Sequence, residues 1–301
     1  MKGWLKSQIP TAAILVFIVL VGSVYAGLGS QTLSADIPAL TWGRGLILAL
    51  VGFLAGVLGG IIGTGGCSVM LPVMHFWMDY PAPIAVGTTL FAVIFTAISG
   101  GYGHLVRHNL DKRAVAWLGV SGILGVLLGS WLFTFLSNQS TLLGLILGLL
   151  FLWPALRMIW EGIRHARFPH KEGDKITAPT TGLAIFGLLV GVATGVAGLG
   201  GGYALVPGLI YLFGAPVYIT MGTSLATMIP LAIVGGGLKL IGGFVDLPAG
   251  LLLAGGTVIG AQVGAAIIKR FKPATLKLIF GVYFLYVSIK FITAFFGIKI
   301  W

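Results

Sequence analysis

The sequence predicts an all-α polytopic membrane protein made of two homologous, inverted repeats in one bundle, each holding a glycine-broken, re-entrant element and about three spans. Three observations predict it. The chain is 57% hydrophobic and only 8% charged, with a mean hydropathy of +1.06, where a soluble domain carries about a quarter charged residues. Its central part is duplicated. Its basic residues are gathered in short connections between apolar runs.

Composition alone excludes several classes. At 301 residues, with apolar segments of about 20 residues, there is room for roughly nine spans and no soluble domain. The net charge of +11 sits in connections and not on a basic helix or RNA-binding motif, so it signals topology rather than nucleic acid. The single cysteine, Cys67, cannot form an intrachain disulfide or a cysteine-based zinc site. No His-Glu-x-x-His and no Gly-x-Ser-x-Gly with a partner base is present, so an intramembrane hydrolase lacks its parts. No cofactor or metal site is expected.

The duplication is carried by Gly56–Pro72, GVLGGIIGTGGCSVMLP, and Gly191–Pro207, GVATGVAGLGGGYALVP. Adding 135 to a residue number converts one copy into the other, and 25 of 78 aligned positions from Gly52 and Gly187 onward are identical. Chance in so Gly- and Leu-rich a chain would give roughly a tenth. The match includes Pro81/Pro216, Gly87-Thr88-Thr89 against Gly222-Thr223-Ser224, Asp111/Asp246 and Gly129/Gly264. Each copy interrupts an apolar run with glycines, the residue that best tolerates leaving a helix. Unwound backbone at membrane depth must be buried in protein or line a wet cavity. Matched Gly-interrupted segments in two halves therefore point to a transporter's binding site.

In order, residues 1–45 form a first transmembrane helix and its connection. The apolar run Ile9–Val21 followed by Val24-Tyr25-Ala26 also fits a signal peptide, and a retained span is the expectation. Repeat 1, residues 46–160, comprises the broken element Leu46–Met78 and spans Ile84–Gly103, Ala114–Leu136 and Thr141–Trp160. Residues 161–180 form a basic linker. Repeat 2, residues 181–301, comprises the broken element Thr181–Phe213 and spans Pro216–Leu240, Leu247–Ile268 and Leu278–Phe296.

Orientation follows from charge. His104–Arg113, Arg164–Lys175 and Lys269–Lys277 are basic. If both broken elements crossed fully, the first and third of these loops would lie on opposite sides. If each enters and returns on one side, with arms of 13 to 18 residues that are short for a crossing, all three loops and the Lys2/Lys6 terminus become cytoplasmic. Each repeat then makes three crossings and the second is inverted, the architecture of an alternating-access carrier.

The duplicated Gly-rich segment ending in Pro, followed by Gly-Thr-[Thr/Ser], resembles the TauE/SafE family of sulfite and organosulfonate exporters over about Leu46–Phe296. The resemblance implies a multi-pass inner-membrane transporter that moves a small sulfur-containing anion outward. A passive anion channel of the same fold would share these features. The scarcity of acids within the spans also favours an anion over a cation as cargo.

The candidate substrate-binding residues are those at the two breaks, Gly65, Gly66, Cys67, Ser68 and Gly200, Gly201, Gly202, Tyr203. They precede apolar half-helices whose free amides and positive dipole end attract anions. Thr88, Thr89, Thr223 and Ser224 are expected to add hydroxyl donors from opposite sides of a pseudo-two-fold axis, against the alternative of bonding back to helical carbonyls. Cys67, where the second copy has Gly202, reads as a small buried residue. His75 is either a proton carrier or a satisfied core group, and Lys239 either faces the pathway from the outer side or snorkels. His104, Arg107 and His108 read as a solvated loop, and Asp111 and Asp246 as helix starts. The expected partners are the small anion, the lipid bilayer and a coupling proton or sodium ion; a homodimer is compatible with the sequence.

Overall fold

The computed structural model describes residues 2–27, 37–106, 109–163, 175–267 and 273–298. The loops expected around Arg107, Arg167 and Lys272 lie outside these. Among the described residues, eleven α-helices follow one another: α1 (Lys2–Gly27), α2 (Trp42–Ile62), α3 (Cys67–Trp77), α4 (Ala82–Val106), α5 (Lys112–Ser137), α6 (Ser140–Ile163), α7 (Thr180–Ala197), α8 (Gly202–Phe213), α9 (Val217–Ile241), α10 (Leu247–Ile267) and α11 (Pro273–Phe295). Seven of them, α2, α4, α5, α6, α7, α9 and α10, are long and apolar enough to cross a bilayer. The chain is an all-helical, polytopic membrane protein.

Both expected breaks are present. Helix α2 ends at Gly63 and α7 at Gly198, each in the left-handed region (φ 81° and 66°), and Gly66 and Gly201 precede the next helices with φ 80° and 83°. Helices α3 and α8 have 11 and 12 residues, about 17 Å of rise, half a hydrocarbon core. The first arm of repeat 1 is longer than the sequence suggested, whereas α7, with 18 residues, is not. Thr41 caps α2 by accepting from Arg44 N, which starts the helix at Trp42 instead of Leu46 and gives it 21 residues. Arm length therefore does not by itself make the first arm non-spanning.

Small residues decide how the helices pair. Helix α2 lies parallel to α10 because Gly52, Gly56 and Gly60 press on the backbone of Leu253, Thr257 and Ala261, where any Cβ would collide. Gly187, Gly191 and Gly195 press in the same way on Leu118, Gly122 and Val126, which pairs α7 with α5. Close backbone approach through glycine suits a medium that supplies no hydrophobic drive between helices. Each contact of the first set becomes one of the second when 135 is added to one number and subtracted from the other. Helices α4 and α9 form the buried centre and run antiparallel, with Gly100 on Leu225 and Gly235 on Leu90. Helices α6 and α11 pack antiparallel at the flank, where Ser288 Oγ donates to Gly148 O at 2.7 Å.

Helix direction also locates the ends of the bundle. Helix α10 runs alongside α4, with Thr96 and Thr257 hydroxyls 2.6 Å apart, and α5 alongside α9, with Gly119 near Pro230 and Val126 near Gly235. The end of α4, the starts of α5 and α7 and the end of α10 thus share one end of the bundle, the end from which all three basic connections extend. The α2–α3 hairpin begins and ends at the other: Tyr80, just after α3, donates from its hydroxyl to Asp246 Oδ2 at 3.0 Å, immediately before α10.

Candidate functional site

The two breaks meet each other. Cys67 Sγ touches Leu199 O, and Gly202 abuts Thr64, contacts that the repeat makes equivalent. Gly65 and Gly200 both face Val93 of α4 and Met228 of α9, again an equivalent pair. Gly65, Cys67, Gly200 and Gly202 are therefore brought together, with Thr64 and Leu199, at the middle of the bundle. Cys67 is fully buried. Helices α3 and α8 both start here, so the unpaired amides of two first turns lie beside one another.

Glycine is required here for two separate reasons. Gly65, Gly66, Gly200 and Gly201 all have positive φ, which an L side chain adopts only at about 1–2 kcal/mol. A Cβ on Gly66 would also stand 2.5 Å from Ala55 O, and one on Gly201 would stand 2.9 Å from Val190 Cγ1 and 3.0 Å from Thr194 Oγ1.

Buried hydroxyls lie beside the second break and along α9. Among the described residues, Thr194, Tyr203, Thr220 and Thr227 hold buried hydroxyls with no hydrogen-bond partner. Tyr203 follows Gly202 directly. Ser68, its counterpart, is buried as well. A buried hydroxyl without an acceptor costs about 1–3 kcal/mol.

The Gly-Thr-[Thr/Ser] pairs behave differently from the expectation. Thr88 Oγ1 accepts from Asp246 N at 2.9 Å, and Thr223 Oγ1 accepts from Asp111 N at 3.0 Å, each holding the connection that starts the next helix. Thr89 donates back to Ala85 O at 2.8 Å, while Ser224 donates to Gly63 O at 3.3 Å and so supports the first break. Because α4 and α9 are antiparallel with Gly100 level with Leu225, Thr88 and Thr223 stand about 20 Å apart along the helices at 1.5 Å per residue. They do not converge on one small guest.

The ionisable candidates are also placed. His75 Nδ1 lies 2.8 Å from Tyr80 O and its ring stacks on Phe291 at 5.4 Å, the geometry of a satisfied core group. Lys239 is 1% exposed; its Nζ donates to Gly195 O at the end of α7 and lies 4.0 Å from the centre of the Phe133 ring. It does not snorkel. Asp111 Oδ1 accepts from Arg113 N and Ala114 N at 2.9 and 3.1 Å and caps α5; Asp246 caps α10. Burial raises the Asp246 carboxyl above its ordinary value, and burial followed by the neighbouring Asp246 charge pushes the Tyr80 phenol up.

The family model "Sulfite exporter TauE/SafE" matches residues 48–291. The chain is 30% identical over 236 residues to the probable membrane transporter protein YdhB of Bacillus subtilis, covering 77% of this chain and 94% of that one. It is 25% identical over 265 residues to YunE of the same organism, a probable membrane transporter protein, covering 82% and 97%. It is 26% identical over 251 residues to the probable membrane transporter protein MJ0441 of Methanocaldococcus jannaschii, covering 77% and 89%. No solved structure matches.

Proposed function

The chain belongs to the sulfite exporter TauE/SafE family, and from that premise we propose that it is a secondary carrier exporting a small sulfur-containing oxyanion, such as sulfite or a sulfonate, by alternating access. The observation that carries this reading is the meeting of the two breaks, Cys67 on Leu199 and Gly202 on Thr64. Two helix starts there aim amide donors and positive dipole ends at one small volume, where an anion is favoured and a cation is not. The hydroxyls of Tyr203 and Thr194 supply further donors to it. Dehydrating an oxyanion is expensive, and only several convergent donors offset it.

The two halves are read as inverted repeats. Antiparallel α4 and α9, and hairpins that return to the end they started from, both support this. With all three basic connections at one end, the positive-inside tendency favours that end as the cytoplasmic one, and with it a cytoplasmic N-terminus in an inner-membrane protein. Rocking one half against the other about the central site would expose it to each side in turn, drawing on a proton or sodium gradient.

Flux in proteoliposomes tests the reading. Saturable sulfite counterflow that responds to an imposed proton or sodium gradient is the expected result. Conductive flux without counterflow would make the protein a channel, and a purified protein that binds a metal cation but ignores sulfite and sulfonates would overturn the anion assignment.

A further inference from the structure

Two positions on either side of the central site are equivalent by the repeat but filled differently. On the side of the basic connections, a small cavity opens between α2, α4, α9 and α10, lined by Gly60, Ser99, His104, Leu225, Ala261 and Gln262. Gln262 Nε2 donates to Ser99 Oγ at 3.0 Å, so the serine oxygen is already an acceptor and its proton is left to point elsewhere. Adding 135 to Gly60 and His104 gives Gly195 and Lys239. Lys239 Nζ is seated on Gly195 O with the Phe133 ring beneath it, in the place where the first half has its cavity. Val234 and Leu127 stand there in place of Ser99 and Gln262, so the ammonium is the polar group of that position.

We propose that these two positions are the two mouths of one anion passage through the central site, one holding a water-sized cavity beside His104 and the buried Ser99 and the opposite one plugged by the Lys239 side chain. The inference rests on the carrier reading above and adds its route and its state. A lysine ammonium has three donors, and Gly195 O is its one hydrogen-bond acceptor among the described residues. A plug of this kind is also a receptor: when the outer mouth opens, the same ammonium leaves the α7 carbonyl and meets the departing anion. At the inner mouth the Ser99 hydroxyl and His104 imidazole are the groups that meet an arriving one. The glycine at each mouth, Gly60 or Gly195, keeps the wall free of side chain where the guest passes.

The test uses the full chain in proteoliposomes, with single cysteines introduced at equivalent places and a membrane-impermeant maleimide as probe. Ser99→Cys, buried in this state, should label from the face of the basic connections as that mouth opens in the transport cycle, and millimolar sulfite should slow that labelling severalfold. Val234→Cys should label at least tenfold more slowly from either face, and should become reactive from the opposite face when Lys239→Ala is added. Lys239→Met, which keeps the stem and removes the charge, should raise the half-saturating sulfite concentration at that opposite face about tenfold and leave the other face within twofold. Equal labelling of Ser99→Cys and Val234→Cys would overturn the plug, whatever the cargo. A protein that moves sulfite yet shows no protection of Ser99→Cys would remove the cavity from the route while leaving the carrier reading intact. A wild type without any anion flux would fail the carrier reading itself, and this route with it.

Discussion

Replacing Thr88 and Thr223 by valine separates a structural role from a substrate role more cleanly than any other pair. Valine keeps the shape and removes the acceptor, so each change strands one backbone N–H, that of Asp246 or of Asp111. A buried donor left without a partner costs about 1–3 kcal/mol. Thr88 and Asp246 are both buried, 0% and 7% exposed, which places Thr88→Val toward the upper end; the Thr223 bond is only partly buried, which places Thr223→Val toward the lower. Separated by about 20 Å of helix rise, the two losses should add to within about 0.5 kcal/mol. Unfolding of purified protein in mild detergent, followed by intrinsic fluorescence, reads the stability, and sulfite titration reads the affinity. The expected outcome is lowered, additive stability with affinity unchanged within about twofold. A tenfold loss of affinity in either variant at undiminished stability would refute the structural assignment and put that hydroxyl on the anion.

Other outcomes are expected elsewhere. Gly66→Val and Gly201→Val should insert but not transport, since each combines a left-handed φ with a Cβ in contact range of Ala55 O or Thr194 Oγ1; normal sulfite flux in both would remove the breaks from the site. Asp246 has a raised carboxyl pKa in the folded protein, so the native state holds its proton more tightly. The resulting stability is fully present below the unfolded value of about 3.9 and is lost as pH rises through the folded value, and Asp246→Asn should flatten that part of the pH–stability curve. An unchanged curve would contradict it. Cysteines placed at 107, 167 and 272 should label from one face only and cysteines in the Ser137–Ser140 turn from the other, and labelling of 107 and 272 from opposite faces would break the hairpin topology.

Much of the fold was legible because a duplication constrains contacts as well as sequence. The 135-residue offset reappears in Gly56 on Thr257 and Gly191 on Gly122, and in Asp111 and Asp246 as matched helix starts. The site was harder. Identity between repeats selected Thr88 and Thr223, but identity also marks what each half needs for its own folding, and these two hydroxyls secure connections. The unpartnered hydroxyls lie where the halves differ: Thr194 against Gly59, Tyr203 against Ser68, Thr220 against Ala85, Thr227 against Ala92. Tyr203 was already a candidate from its place at the break; searching for differences on a matched frame would have found Thr194, Thr220 and Thr227 as well. The seat of Lys239 on a carbonyl 44 residues away depends on the α5, α7 and α9 packing and has no local signature, and His104 looked like loop because its neighbours Arg107 and His108 are hydrophilic.

The central claim, that the meeting point of the breaks holds the anion, is tested most directly by sulfite binding to Tyr203→Phe. The Tyr203 hydroxyl is buried and has no hydrogen-bond partner among the described residues, so its removal relieves a desolvation penalty and should leave the apo protein as stable or more stable. If the hydroxyl donates to the anion, a bond to a charged acceptor worth about 1.5–3 kcal/mol disappears. Calorimetric titration should then show affinity weakened ten- to a hundred-fold with stability maintained; unchanged affinity, or a loss that merely follows a drop in stability, would contradict the account.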